Sequence, residues 1–235
     1  MTLDEIMLQL QHWGSESIKK TLVKHGAHEP FFGVKIENLK KIQKKIKSDY
    51  LLSLELYNTG NSDAMYLAGL IADPAKMTRD NLNNWAEKAY WYMLSEFTVA
   101  WVASESPFGN ELALKWIDSD KENIATAGWS TLASIASIRN DSEIDKTLYS
   151  DLLDRISKTI HTEKNFVRRS MNNFVITVGG YCTNLSTEAI HIASTLGKVH
   201  VDMGGTACKV PDASEYIQKM LKRNSLGKKR KSARC

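Results

Sequence analysis

The sequence predicts an all-α fold, a solenoid of stacked antiparallel helix pairs with one β-hairpin near the C-terminus. Three observations predict it. Apolar residues recur at the 3.6-residue spacing of helices through most of the chain. The helical segments are short and come in pairs joined by short loops, a loose repeat whose main competitor is an irregular helical bundle. Only "GKVHVDMGGTACKVPDA", residues 197–213, breaks the pattern, with β-branched residues alternating with polar ones around two glycines.

The elements follow in order. "VKIENLKKIQKKIK" places Val34, Ile36, Leu39, Ile42 and Ile46 near one face and most of its lysines on the other. "SDAMYLAGLIADP" reads as a short helix stopped near Pro74. The stretch from Thr78, a plausible N-cap, to Pro107 reads as two helices with a break near Tyr90 to Met93. "NELALKWIDSD" and "NIATAGWSTLASIAS" form a pair, the second rich in the small residues that let stacked helices approach closely. "DKTLYSDLLDRISKTIH" and "KNFVRRSMNNFVITVGGY" form another, and "STEAIHIASTLG" and "ASEYIQKMLKRN" flank the predicted hairpin, at about 198–210. Residues 1–224 make one domain, and 225–235 read as a basic, disordered tail.

With 235 residues, 43% of them hydrophobic, the chain can bury a substantial core. The acidic start "MTLDEIMLQL" is unlike a secretory signal, and no apolar run reaches membrane-spanning length. The expectation is a cytoplasmic monomer. Cys182, Cys208 and Cys235 form no CxxC pair, and the six histidines are scattered, so neither a metal nor another cofactor is expected. The net charge of +4 is unevenly distributed. From Lys198 onward there are 10 Lys and Arg against 3 Asp and Glu; the rest carries 21 against 24. Such a local excess of cations suits a polyanion.

Four clusters are candidates for that contact. The lysine helix has six lysines against Glu37, with Lys40 and Lys44 on its polar face; an ordinary solvated face explains it equally well. "KNFVRRSMNNF" puts Lys164, Arg168 and Arg169 near a helix start, interleaved with Phe166 and Phe174. Tyr90, Trp91 and Tyr92 are consecutive, and one helix face cannot bury all three, so at least one should be exposed or line a cleft. In the predicted hairpin, Lys198, His200 and Lys209 offer polar contacts and Met203 an apolar tip that can wedge between bases; a simple cap over the last helix pair is the alternative. No phosphate loop, nucleophile elbow or metal-ligand cluster is present.

At "FFGVKIENLKKIQKKIK", "KAYWYML" and "FVRRSMNNFV" the chain resembles the DNA alkylation repair family, the HEAT-like repeat DNA glycosylases of the AlkD type, across residues 22–176. The resemblance implies a HEAT-like solenoid whose basic concave groove holds DNA. It also implies an active cleft with an aspartate, an arginine and two tryptophans. Carried over, the first tryptophan falls on Trp91, the aspartate on Ser95, the arginine near Ala127 and the second tryptophan on Phe174. Glu96 is the one nearby carboxylate, and regular helical rotation would turn it away. A serine cannot stabilise a developing sugar cation as a carboxylate does. The chain is therefore similar to the AlkF and AlkG branch, which binds branched DNA without excising alkylated bases. A glycosylase using Glu96 or another carboxylate and a protein-binding scaffold are the alternatives.

Overall fold

The computed structural model describes residues 1–234; Cys235, counted above with the basic tail, lies outside the described residues. The chain folds as a right-through stack of helices: α1 (Leu3–His12), α2 (Glu16–Lys24), α3 (Ile36–Ile46), α4 (Tyr50–Asn58), α5 (Ser62–Ile71), α6 (Arg79–Lys88), α7 (Ala100–Glu105), α8 (Gly109–Trp116), α9 (Glu122–Ile138), α10 (Lys146–Thr159), α11 (Asn165–Tyr181), α12 (Ser186–Leu196) and α13 (Ala213–Lys222). α5, α7, α9, α11 and α13 follow one another as an inner layer, with α4, α8 and α12 packed behind them. α5, α7, α9 and α11 are apolar or small-residue-rich around much of their circumference, as buried helices must be, whereas the terminal α13 buries only Ala213 and Ile217. All ten residues of α5 are buried, and so are twelve positions of α9. Close stacking depends on the small residues: a Cβ on Gly128 of α9 would stand 2.8 Å from the Ile117 backbone nitrogen.

Local signals set the helix ends. Thr78 caps α6 as expected, its side chain accepting from the Asn81 amide at 3.1 Å while Asn81 Oδ1 accepts from the Thr78 amide. α6 ends at Lys88, and Ala89 leaves helical geometry with ψ 86°. The chain then re-enters helix through a π-helical stretch, Leu94–Val99, before α7. The "FFGV" loop is held by Asp63 at the start of α5, whose carboxylate accepts from the amides of Phe32, Gly33 and Val34 at 2.6, 3.0 and 3.0 Å. Gly33 has φ +76°, and a Cβ there would meet the Ser15 carbonyl at 2.7 Å.

The predicted β-hairpin does not form; there is no strand among the described residues. Residues 197–212 are an extended crossing loop. The alternation that suggested strands survives as burial: Val199 is buried and Val201 half-buried against the C-terminal core, while Lys198, His200 and Asp202 are exposed. The loop's backbone is held by side chains instead of a partner strand. Asn165 of α11 donates from Nδ2 to the Asp202 carbonyl at 2.7 Å and accepts from the Asp202 amide at 2.7 Å. Asn172 donates to the Pro211 carbonyl at 3.0 Å. Two strands alone are marginal in water, and here the helix surface offers better-placed partners. Met203 is not a free tip: it is half-buried against the N-terminal core, beside Gly204, which sits against the Lys24 carbonyl at the end of α2.

The C-terminal segment is packed as well, against the expectation of a disordered tail. It runs back across the C-terminal ends of the inner helices. The Gly227 amide donates to the Gly180 carbonyl of α11. Lys229 Nζ donates to the Ala136 carbonyl and the Arg230 amide to the Ser137 carbonyl, both near the end of α9. The Ala233 amide and Ser232 hydroxyl donate to Glu105, the last residue of α7. The Arg234 guanidinium donates to the Leu70 and Ala72 carbonyls at the end of α5. Helix C-termini leave carbonyls without intrahelical partners and carry partial negative charge, which is why a basic strap settles there.

Candidate nucleic-acid interface

The inner faces of α9 and α11 line one long concavity. On α9 the residues that line it are Asn123, Thr126, Ser130, Ser134 and Ser137; on α11 they are Phe166, Arg169, Asn173 and Thr177. These spacings keep each set on one helix face. The π-helical stretch forms the third wall. Its wider turn brings Glu96, and not Ser95, toward the main cavity. Ser95 lines a smaller, separate recess, of which Glu96 is not a part. Glu96 is 3% exposed and forms an ion pair with Arg169, which closes the concavity in the middle. Burial pulls the Arg169 guanidinium below its ordinary pKa.

On one side of that pair is a recess of about 120 Å³, lined by His25, Tyr92, Trp91, Ser95, Glu122 and Phe166 among others. The consecutive aromatics are accommodated by the helix break. Trp91 is buried, its Nε1 donating to Ser62 Oγ at 2.9 Å. Tyr92 stacks on Phe166 at 4.9 Å between ring centroids and 18°, with the Arg169 guanidinium 4.8 Å from its centroid. Burial pushes the half-buried Tyr90 phenol up to about 12, so it stays neutral. Ser95 is buried, its hydroxyl turned to the Ala89 carbonyl at 3.5 Å. Ala127 is fully buried and brings no charge.

On the other side is a groove of about 820 Å³ bounded by α9, α11, α13 and the C-terminal strap. Its charged lining consists of Arg169, Lys219, Arg223, Lys228 and Arg230 against a single acid, Glu96, already paired. Lys219 has one exposed partner, Glu215, at 3.5 Å. Aromatic rings of Phe97, Trp101, Tyr181 and Tyr216 interleave with these cations.

The sequence-derived candidates are distributed unevenly about this site. The Arg169 guanidinium sits over the Tyr92 ring from the groove side, and Trp91 and Tyr92 line the recess. Phe174 does not: it is fully buried in the core, 5.4 Å from both Trp129 and Tyr149. The aromatic beside Tyr92 is Phe166, and the α11 residue facing the groove is Asn173, one position and about 100° from Phe174. Lys164 donates to the Asp120 carbonyl, and Arg168 has only Asn165 Oδ1, at 3.5 Å. Lys198, His200 and Lys209 are exposed on the crossing loop. Lys40 and Lys44 lie on α3, outside both cavities. The groove cations of α13 and the strap were missed because they read as part of a solvated helix and a tail; the charge excess after Lys198 was their signal.

An all-helical repeat with a cationic, aromatic concave groove defines a solenoid suited to a polyanion. The comparisons sharpen that class. The profile of the family described as DNA alkylation repair enzyme matches residues 6–217, and the chain belongs to that family. Uncharacterized proteins of Listeria innocua and Listeria monocytogenes are each 35% identical to it over 229 residues, 95% of this chain and 99% of theirs. A solved structure is 41% identical, covers 100% of both chains and superposes with a TM-score of 0.92. It is described as belonging to a new family of proteins related to the HEAT-like repeat DNA glycosylases, with affinity for branched DNA structures. The fold is thus an all-helical HEAT-like repeat. No helix of the described residues is long and apolar enough to cross a membrane, and none of their His, Cys, Asp and Glu side chains cluster as a metal site.

Proposed function

We propose that this protein is a DNA-binding member of its family that recognises branched DNA and does not excise alkylated bases. The groove carries the reading: five cations face a single acid, and that acid is already paired. The 41%-identical structure described as having affinity for branched DNA supports the branched substrate. The exposed Lys198, His200 and Lys209 of the crossing loop, with Lys164 and Arg168, extend the contact beyond the groove; Lys40 and Lys44 add a more distant one. The protein acts as a cytoplasmic monomer.

The chemistry at the recess supports binding without excision. Departure of an alkylated base leaves positive charge on the sugar, and a preorganised carboxylate is the usual means of stabilising it. Ser95 has no charge, Ala127 is apolar, and the Glu96 carboxylate is engaged by Arg169. The test pairs two measurements on the purified protein: fluorescence anisotropy with four-way junction, fork, duplex and single-stranded DNA, and release of bases from methylated duplex. Tight junction binding with no base release is expected. Robust release, abolished in Glu96→Gln, would show a glycosylase.

A further inference from the structure

The 820 Å³ groove is the size of a small-ligand site. Its lining has the parts that a single nucleotide requires. α13 and its C-cap Arg223 present Tyr216, Lys219, Met220 and Arg223 to the groove, spaced i, i+3, i+4 and i+7 along one face. Tyr216 is 47% exposed, and its ring has no aromatic neighbour among the described residues. Arg223 and Lys228 stand exposed beside it with no carboxylate partner among them. Across the groove, α11 offers Asn173, whose side-chain amide has no hydrogen-bond partner among the described residues and can both donate and accept.

We propose that this groove binds a single unpaired nucleotide of a branched DNA, its base stacked on Tyr216, its base edge on the Asn173 amide, and its phosphates on Arg223 and Lys228. This rests on the DNA-binding reading above and names what enters the groove. A duplex arm contacts the cationic rim, and a base released from pairing stacks inside the groove. Stacking on an aromatic side chain tolerates any base, and the asparagine amide adds a preference for adenine, whose N6 and N7 it can pair with. A fork or flap, which exposes unpaired nucleotides, is therefore favoured over a junction with all arms paired.

The test uses the full chain and forks carrying 2-aminopurine in the unpaired stretch, with a fully paired four-way junction as reference. Wild-type protein should quench 2-aminopurine fluorescence as the base stacks. Tyr216→Ala, a change at an exposed site, should abolish that quenching and weaken fork binding at least fivefold, with junction binding changed less than twofold. Asn173→Ala should keep the quenching and lose the preference for adenine over thymine at that position. Junction binding by wild-type protein without quenching at any unpaired position overturns the nucleotide site and leaves the DNA-binding reading intact. Equal weakening on fork and junction in Tyr216→Ala also overturns it. Failure to bind any of these DNAs overturns both.

Discussion

Single residues decide two features of this protein. Asp63 holds the "FFGV" loop through three backbone donors. Burial pushes its carboxyl pKa up, and the bonds from Phe32, Val34 and Gly33 pull it back. Asp63→Asn supplies one acceptor oxygen and a clashing donor in its place. It should lower stability by about 2 kcal/mol, the scale of hydrogen bonds to a charged group, measured by urea unfolding. Arg169 is the counter-ion of a buried carboxylate before it is a DNA contact. Arg169→Ala should destabilise the fold by about 3 kcal/mol because Glu96 is left buried and unpaired, and Glu96→Gln combined with Arg169→Met should recover most of that loss in the same assay. The sequence made Trp91, Tyr92 and Arg169 legible as neighbours of a cleft. It misassigned Phe174 by one step of helix rotation: on α11 the aromatic resemblance outweighed the face on which Phe166, Arg169 and Asn173 align. The π turn that carries Ser95 and Glu96 is invisible to a 3.6-residue period.

At the scale of elements, the helices were legible because their apolar spacing and their caps agreed, as at Thr78. The segment 197–212 was not, because alternation of buried and exposed side chains specifies an extended backbone and says nothing about what pairs with it. Its partner is Asn165, whose amide takes both polar groups of Asp202. Asn165→Ala should leave the helical circular dichroism unchanged and accelerate hydrogen exchange at the Asp202 amide by at least tenfold; unchanged exchange would show that the loop is held by Val199 and Met203 packing alone. The C-terminal strap was read as a tail for a related reason: its Lys229 and Arg234 pair with helix-end carbonyls, which carry no mark in the sequence. Deleting residues 225–235 exposes the ends of α5, α7, α9 and α11 together. At about 0.3–1 kcal/mol per helix end, it should cost roughly 1–4 kcal/mol and lower the thermal midpoint.

At the scale of the whole molecule, the crossing loop and the strap both return the basic C-terminal part to the inner layer of the solenoid. The loop reaches α2 near the N-terminus, where Cys208 Sγ lies 3.9 Å from His25 Nε2; the strap reaches α5. Four of the ten cations from Lys198 onward, Lys219, Arg223, Lys228 and Arg230, thus line the concave groove, while the remainder of the chain is net acidic. This arrangement orients a polyanion toward one face and makes its binding electrostatic. The measurement that tests this most directly is the salt dependence of affinity for a fork with unpaired nucleotides and for a duplex of matched length, in wild-type protein and in the Arg223→Ala, Lys228→Ala double variant. The account predicts tighter binding to the fork, affinity falling steeply with salt, and a log–log slope for the fork shallower by about 2 in the variant, one for each phosphate contact removed. Equal affinity for both DNAs, or the same slope in a folded variant, would contradict it.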